Sequence, residues 1–173
     1  FRDMERPIVN RVEESGLVQL DLASLLTPPP VDVVDLSTWL DRGILLREQP
    51  FRDHVKAWDA SALGGHIVAL TCSTEAILPD WAWMLVTAKL NALGATALVG
   101  SMEDARAHAW RMAVTQLNLN DYRDQRVIVK GCATAGGPAT LVAFTAHVGP
   151  VVRSLMFGEA CSAVPLVKLS LIH

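Results

Sequence analysis

The sequence has no surplus of basic residues: 15 Lys and Arg stand against 18 Asp and Glu, a net charge of −3. A protein that works by neutralising phosphates needs a basic surplus or a basic face. Neither is visible, so no nucleic-acid partner is expected. Long apolar runs are missing as well. A membrane span needs about 20 consecutive apolar residues, and the densest stretch, Trp81 to Ala88, is far shorter; no membrane association is expected. The first residues, FRDMERPIVNRVEESG, are charged and contain no apolar segment of a secretory leader. Cysteine is scarce and odd in number, with three residues and no C-x₂-C pair. Small secreted scaffolds carry dense, even sets. With no leader visible, the expected location is the cytoplasm, with reduced thiols. The HExxH, GxSxG, GxGxxG and GxxxxGK[ST] patterns are all absent, which removes the commonest metalloprotease, serine-hydrolase and nucleotide-binding signatures.

What remains is an apolar, weakly charged chain of 173 residues, 51% hydrophobic and 19% charged. That length suits one domain, and a globular chain of this size buries about 70% of the surface its unfolded form exposes. The composition excludes a disordered or low-complexity protein, which has too little apolar surface to offset chain entropy. There is no internal repeat, and the one low-complexity spot is Pro28-Pro29-Pro30, a stiff extended elbow.

Before that elbow, Leu17, Leu20 and Leu22 predict a short strand after the turn signal Ser15-Gly16; after it, Val31, Val33 and Val34 predict another. Asp35 to Leu40 predicts a short helix stopped at Gly43, and Ile44-Leu45-Leu46 a brief strand. Phe51, Val55 and Trp58 fall on one face of a helix opening at Pro50. From residue 61 the pattern is more regular. The apolar runs His66–Thr71, Ala95–Val99 and Arg126–Lys130 predict three strands. Pro79–Leu93 predicts a helix with a stripe of Trp81, Met84, Leu85 and Ala88. Ser101, with Asp104 three residues on, caps the next helix, whose stripe is Met102, Ala105, Ala109, Met112, Ala113 and Leu117. A last helix opens at Pro138 and runs to Phe157, kinked or broken at Gly149-Pro150, because Pro150 has no backbone donor and clashes with the preceding turn. On this reading Val151 to Met156 is still helical and Gly158 ends the segment.

Alternating strands and helices make an α/β pattern, and crossovers that carry a helix join parallel strands. The expected fold is a single α/β domain. Residues 61–173 form its core, a mainly parallel sheet flanked by helices that holds the three strands together. Residues 1–60 form an irregular α+β extension that packs on the core and adds edge strands.

Ligands of open α/β sheets gather beyond the carboxyl ends of the strands. Cys72 directly follows HIVALT, and Cys132 follows RVIVK by one glycine. If those strands are adjacent, about 4.8 Å apart, the two thiols share an edge. Helix N-termini face that edge and favour thiolate. Cys161 joins them only if the break at Gly149-Pro150 returns the chain to the same side. The candidate metal ligands are therefore Cys72, Cys132 and Cys161, with Glu75 or Asp80 as a fourth. His66 begins its strand and belongs at the opposite edge; His54, His108 and His147 read as surface or interface residues. Against this stands the tendency of free cysteine simply to fill buried space. A cysteine phosphatase is excluded, because the position six residues after Cys72 is Leu78 and after Cys132 is Pro138, where that chemistry needs arginine. The loop GCATAGGP is placed to cradle an anion before a helix, or is simply a turn that needs positive φ. Trp81 and Trp83, two apart, cannot share a helical face; one is expected in the core and the other near the cysteine edge or in a dimer contact.

The segments IVNRVEESGLVQLDL, CSTEAILPDWAWMLV, VIVKGC and PVVRSLMFGEACSAVP occur in this order from Ile8 to Pro165 and contain all three cysteines. In this the chain resembles the bacterial family known as domain of unknown function 2480. It departs from the family pattern at GEAC, where GEPC is expected, and at PDW, where many members have PTW, which puts Asp80 in doubt as a ligand. The resemblance implies no assigned activity. It implies a setting near sulfur mobilisation and iron–sulfur assembly, which suits a thiolate site. Three readings are open: a cytosolic protein that holds zinc, iron or an iron–sulfur cluster through three cysteines; a non-catalytic interaction module, homodimeric or bound to a protein partner, with structural cysteines; and a thiol enzyme using Cys72.

Overall fold

The computed structural model describes residues 10–12, 16–130 and 135–168. In chain order the strands are β1 (Asn10–Val12), β2 (Leu17–Leu20), β3 (Val31–Asp35), β4 (Ile67–Thr71), β5 (Thr96–Val99), β6 (Arg126–Val129), β7 (Ser154–Phe157) and β8 (Val164–Lys168). The helices are the single turn α1 (Leu22–Leu25), then α2 (Glu48–Ala57), α3 (Asp80–Asn91), α4 (Met102–Thr115) and α5 (Pro138–Val148). The chain divides into two compact units, Pro29–Ala109 and the combination of Phe1–Pro28 with Trp110–His173.

The continuous unit, Pro29–Ala109, holds a sheet in the order β3–β4–β5, parallel throughout. Ile67, Val68, Ala69 and Leu70 of the central strand β4 are all buried, as expected where both faces of a parallel strand are covered. Edge strand β5 ends on an exposed Val99. Phe51 and Val55 of α2 and Ala82, Val86 and Leu90 of α3 complete this core. The helix spacing of the α2 pair was legible in the sequence. That of α3 was not: the buried stripe is Ala82, Val86 and Leu90, and Met84 is exposed. Apolar residues surround α3, so periodicity alone does not select a face. Ser101 and Asp104 form the expected reciprocal cap of α4, with Ser101 N–H on Asp104 Oδ2 at 2.7 Å and Asp104 N–H on Ser101 Oγ at 3.2 Å.

The discontinuous unit holds a second sheet, in the order β1–β2–β6–β7–β8. β2, β6 and β7 are parallel neighbours, and β1 and β8 flank them antiparallel. Its core joins Val18, Leu20, Val127, Val129 and Leu155 of the strands to Phe144 and Val148 of α5 and to Ala113 and Val114 of α4. Helix α5 stops at Val148, with Gly149 as its cap.

The α/β class and the mainly parallel pairing are as expected, but three details differ. His66–Thr71 and Ala95–Val99 supply neighbouring strands of one sheet, whereas Arg126–Lys130 supplies a strand of the other. All three runs are apolar, and nothing local to such a run names its partner. The segment Val151 to Met156 is not helical. Pro150 ends the helix as expected, but the chain then extends and Ser154–Phe157 becomes β7, held by its ladder to β6. Ile44-Leu45-Leu46 is a turn closed by an isolated Asp41–Leu45 bridge, with Ile44 and Leu45 exposed. The observed α3 face predicts that Leu90→Ala costs about 2–5 kcal/mol in urea unfolding. Met84→Ala, at 71% exposure, should stay within about 0.5 kcal/mol of the parent. The reverse order would place the wrong stripe in the core.

Candidate functional site

The carboxyl ends of β3 and β4 carry a polar knot within one unit. Asp35, the last residue of β3, accepts from the backbone N–H of Ser37 at 3.0 Å and of Ser73 at 3.1 Å. The Ser37 and Ser73 hydroxyls meet at 3.0 Å, and Ser37 is buried. Thr74 Oγ1 donates to the Gly43 carbonyl. An Asp two residues before the N–H it caps is a local turn device; the Ser73 bond extends it to the loop after the neighbouring strand. Hydrogen bonding from Ser73, then from Ser37, holds the Asp35 carboxyl down from 3.8 to about 2. A carboxylate so low is a committed acceptor and a poor general base near neutral pH. Cys72 is half-buried in the same loop; its thiol donates to the Thr74 carbonyl at 3.6 Å and lies 3.5 Å from Thr74 Oγ1. Neither partner is a base that would activate a nucleophile.

The opposite end of this sheet carries a hydrogen bond between His66 Nδ1 and Asp32 Oδ2. His66 precedes β4 and so sits at the amino edge, away from Cys72, as its sequence position required. Glu75 and Asp80 are exposed, and Asp80 is the first residue of α3. Trp81 and Trp83 are both half-buried against the core of this unit. Trp81 meets Phe51 edge-on at 5.8 Å and carries the Arg52 guanidinium over its ring at 4.6 Å.

The second sheet presents its own carboxyl edge at β6 and β7. The Gly158 N–H donates to the Val129 carbonyl at 2.8 Å, so the two strands leave the sheet side by side. Cys161, four positions after β7, is exposed next to a turn in which Ser162 N–H bonds the Glu159 carbonyl. Cys132 follows Lys130 by two positions in the sequence and lies outside the described residues. β4 and β6 belong to different sheets, so strand adjacency is not a route by which Cys72 meets Cys132. Among the described residues, no three His, Cys, Asp or Glu side chains gather as a metal site.

Beside that edge an apolar groove of about 290 Å³ runs between α5 and the β6–β7–β8 strands, with Leu141, Phe144, Phe157, Val164 and Leu166 among its walls. Leu166 and Val164 are more than half exposed. This groove is not visible in the sequence, because the segment that builds it reads as helix. The Asp35–Ser73 tie is hidden too. Asp35-Leu36-Ser37 carries a local capping signal, but its partner across the strand pair lies 38 positions away.

The Asp35 knot makes stability depend on pH. A carboxyl with a depressed folded pKa contributes stability that is fully present above its unfolded value and is lost as pH falls through the folded one. Asp35→Ala should cost about 0.5–2 kcal/mol at neutral pH, the usual worth of a capping acceptor. Its deficit against the parent should hold steady above 3.8 and shrink as pH falls toward about 2. Urea unfolding at several pH values reads this out; a deficit independent of pH would mean that the charge plays no part.

No curated protein and no solved structure matches the chain. No helix among the described residues is long and apolar enough to cross a membrane. A family model does match, over residues 6–169, nearly the full length, and it includes the segments that carry the cysteines. The chain belongs to the family described as Protein of unknown function (DUF2480).

Proposed function

We propose that the protein handles a soft metal ion, zinc or iron, through Cys72, Cys132 and Cys161. The observation that supports this most is the parallel pairing of β6 and β7, locked by the Gly158–Val129 hydrogen bond. In the sequence Cys132 follows β6 by three positions and Cys161 follows β7 by four. Beyond Gly149-Pro150 the chain runs back beside β6 as the strand β7. Thiolates suit zinc and iron–sulfur chemistry, and the cytoplasm would keep them reduced. Three thiols leave a fourth coordination position open, which fits an exchangeable site better than a closed structural one. Purified protein loaded with zinc should hold one ion per chain and protect its thiols from alkylation. Cys132→Ser and Cys161→Ser should each abolish that binding without loss of helix content, because the apolar cores do not need the metal. Cys72→Ser should do the same. Metal retention in the Cys132→Ser variant would end the proposal.

A different observation favours a second reading, a homodimeric interaction module. β8 ends its sheet, and beside the groove it exposes Val164 and Leu166. Apolar side chains on a terminal strand invite pairing with another chain. A second copy of the chain is the expected occupant. Sedimentation should then give a dimer that Leu166→Asp converts to monomer; a monomeric parent would rule this reading out.

A further inference from the structure

We infer that the amino end of α5 binds a tetrahedral oxyanion of the phosphate or sulfate class. The helix runs 11 residues, long enough for its dipole to favour an anion at the first turn, and that turn holds no acidic residue. Gly136 and Gly137 lead into it with φ of 70° and 69°, a left-handed pair that side chains adopt only under strain. The N-cap, Gly137, has no side chain to satisfy the leading N–H groups, and Pro138 contributes no donor. The Ala139 N–H has no partner among the described residues.

A second, independent observation is Thr140. It is 1% exposed, and its Oγ1 is buried with no hydrogen-bond partner among the described residues. A buried hydroxyl without a partner costs free energy, so a persistent one calls for an explanation such as a bound ion. Thr140 begins the stripe Thr140, Phe144 and Val148 by which α5 faces its sheet. It is the member nearest the carboxyl edge of β6, where α/β sheets hold ligands. Side chains of a helix lean toward its amino end, and this one does: a Cβ built on Gly136 would lie 2.3 Å from Thr140 Oγ1. The hydroxyl therefore faces the glycine pair that leads into the first turn, beside the Trp110 ring. A tetrahedral oxyanion there accepts from the Ala139 N–H and from the Thr140 O–H, and gives the hydroxyl its missing partner. The site uses none of the cysteines, so it stands apart from the metal proposal.

The test is a thermal-shift and calorimetric titration of the full chain with inorganic phosphate, sulfate and glycerol 3-phosphate, against chloride at equal ionic strength. A saturable rise in melting temperature with any of the three oxyanions, absent with chloride, supports the site. Whether the free ion or the monoester binds more tightly identifies its source. Thr140→Val should weaken binding at least about tenfold, the loss of one hydrogen bond to a charge. Without anion the same variant should be as stable as the parent or more so, since a methyl replaces an unsatisfied hydroxyl. Thr140→Ser should restore binding, and zinc content should be unchanged in both variants. No saturable response, or equal binding by Thr140→Val, overturns the inference.

Discussion

The break at Gly149-Pro150 decides the architecture of the discontinuous unit. Pro150 has no N–H to give a helix, and its ring clashes with the turn before it, so α5 ends at Val148. The chain is then free to extend. The β-branched Val151 and Val152 lead into Ser154–Phe157, and the ladder to β6 fixes that segment as a parallel strand. Were the helix to continue, β6 would lose a neighbour, β8 would have nothing to pair with, and Leu155 would leave the core that it shares with Phe144 and Val129. The groove between α5 and β8 and the edge that leads to Cys161 both arise from that one missing donor.

The same break shows what a sequence can and cannot disclose. That a helix must fail at Gly149-Pro150 is a property of one residue and was legible. The course of the chain beyond Pro150 was not, because SLMF has no period that separates strand from helix, and its extended form is held by the distant residues Arg126–Val129. The division of strands between two sheets was hidden for a related reason. HIVALT and RVIVK are both continuous apolar runs, and pairing is chosen by the whole assembly. Local devices fared better: the Ser101–Asp104 cap and the Phe51–Val55 face are set by neighbours three or four residues away and came through unchanged. The α3 stripe failed because Trp81, Trp83, Met84 and Leu85 make the helix apolar nearly all round. The core took small Ala82 and left the two indoles half-buried at its border.

Two polar groups at sheet edges show opposite solutions to one problem. A polar atom withdrawn from water must find partners or cost free energy. Asp35 finds them in Ser73 and Ser37, from the loops after neighbouring strands, and its pKa falls because hydrogen bonding from Ser73, then from Ser37, favours the charged form. Ser37 joins the same knot while almost fully buried. Among the described residues Thr140 has neither donor nor acceptor for its hydroxyl, although it is buried as deeply. Side chains as well satisfied as Asp35 and Ser37 hold loops in place. A hydroxyl left unsatisfied in a stripe that Phe144 and Val148 otherwise make apolar is costly, and a ligand that supplies its partner offsets that cost.

The order of the units along the chain adds a constraint on assembly. β2 pairs with β6 in register Leu17 to Arg126 and Leu20 to Val129, with the whole of Pro29–Ala109 between them in sequence. Closing so long a loop is unfavourable, but the cost rises only with the logarithm of its length. It falls further when the intervening chain has already condensed, because a folded insert has fewer conformations left to lose. The insert is suited to that role. Its sheet pairs β3 with β4 and β4 with β5, each strand with the next in sequence, and among the described residues its core cluster lies within its own span. The β2–β6 ladder closes over the whole of that insert, and replacing residues 29–109 by a flexible chain of equal length would leave the ladder to carry the full closure entropy alone.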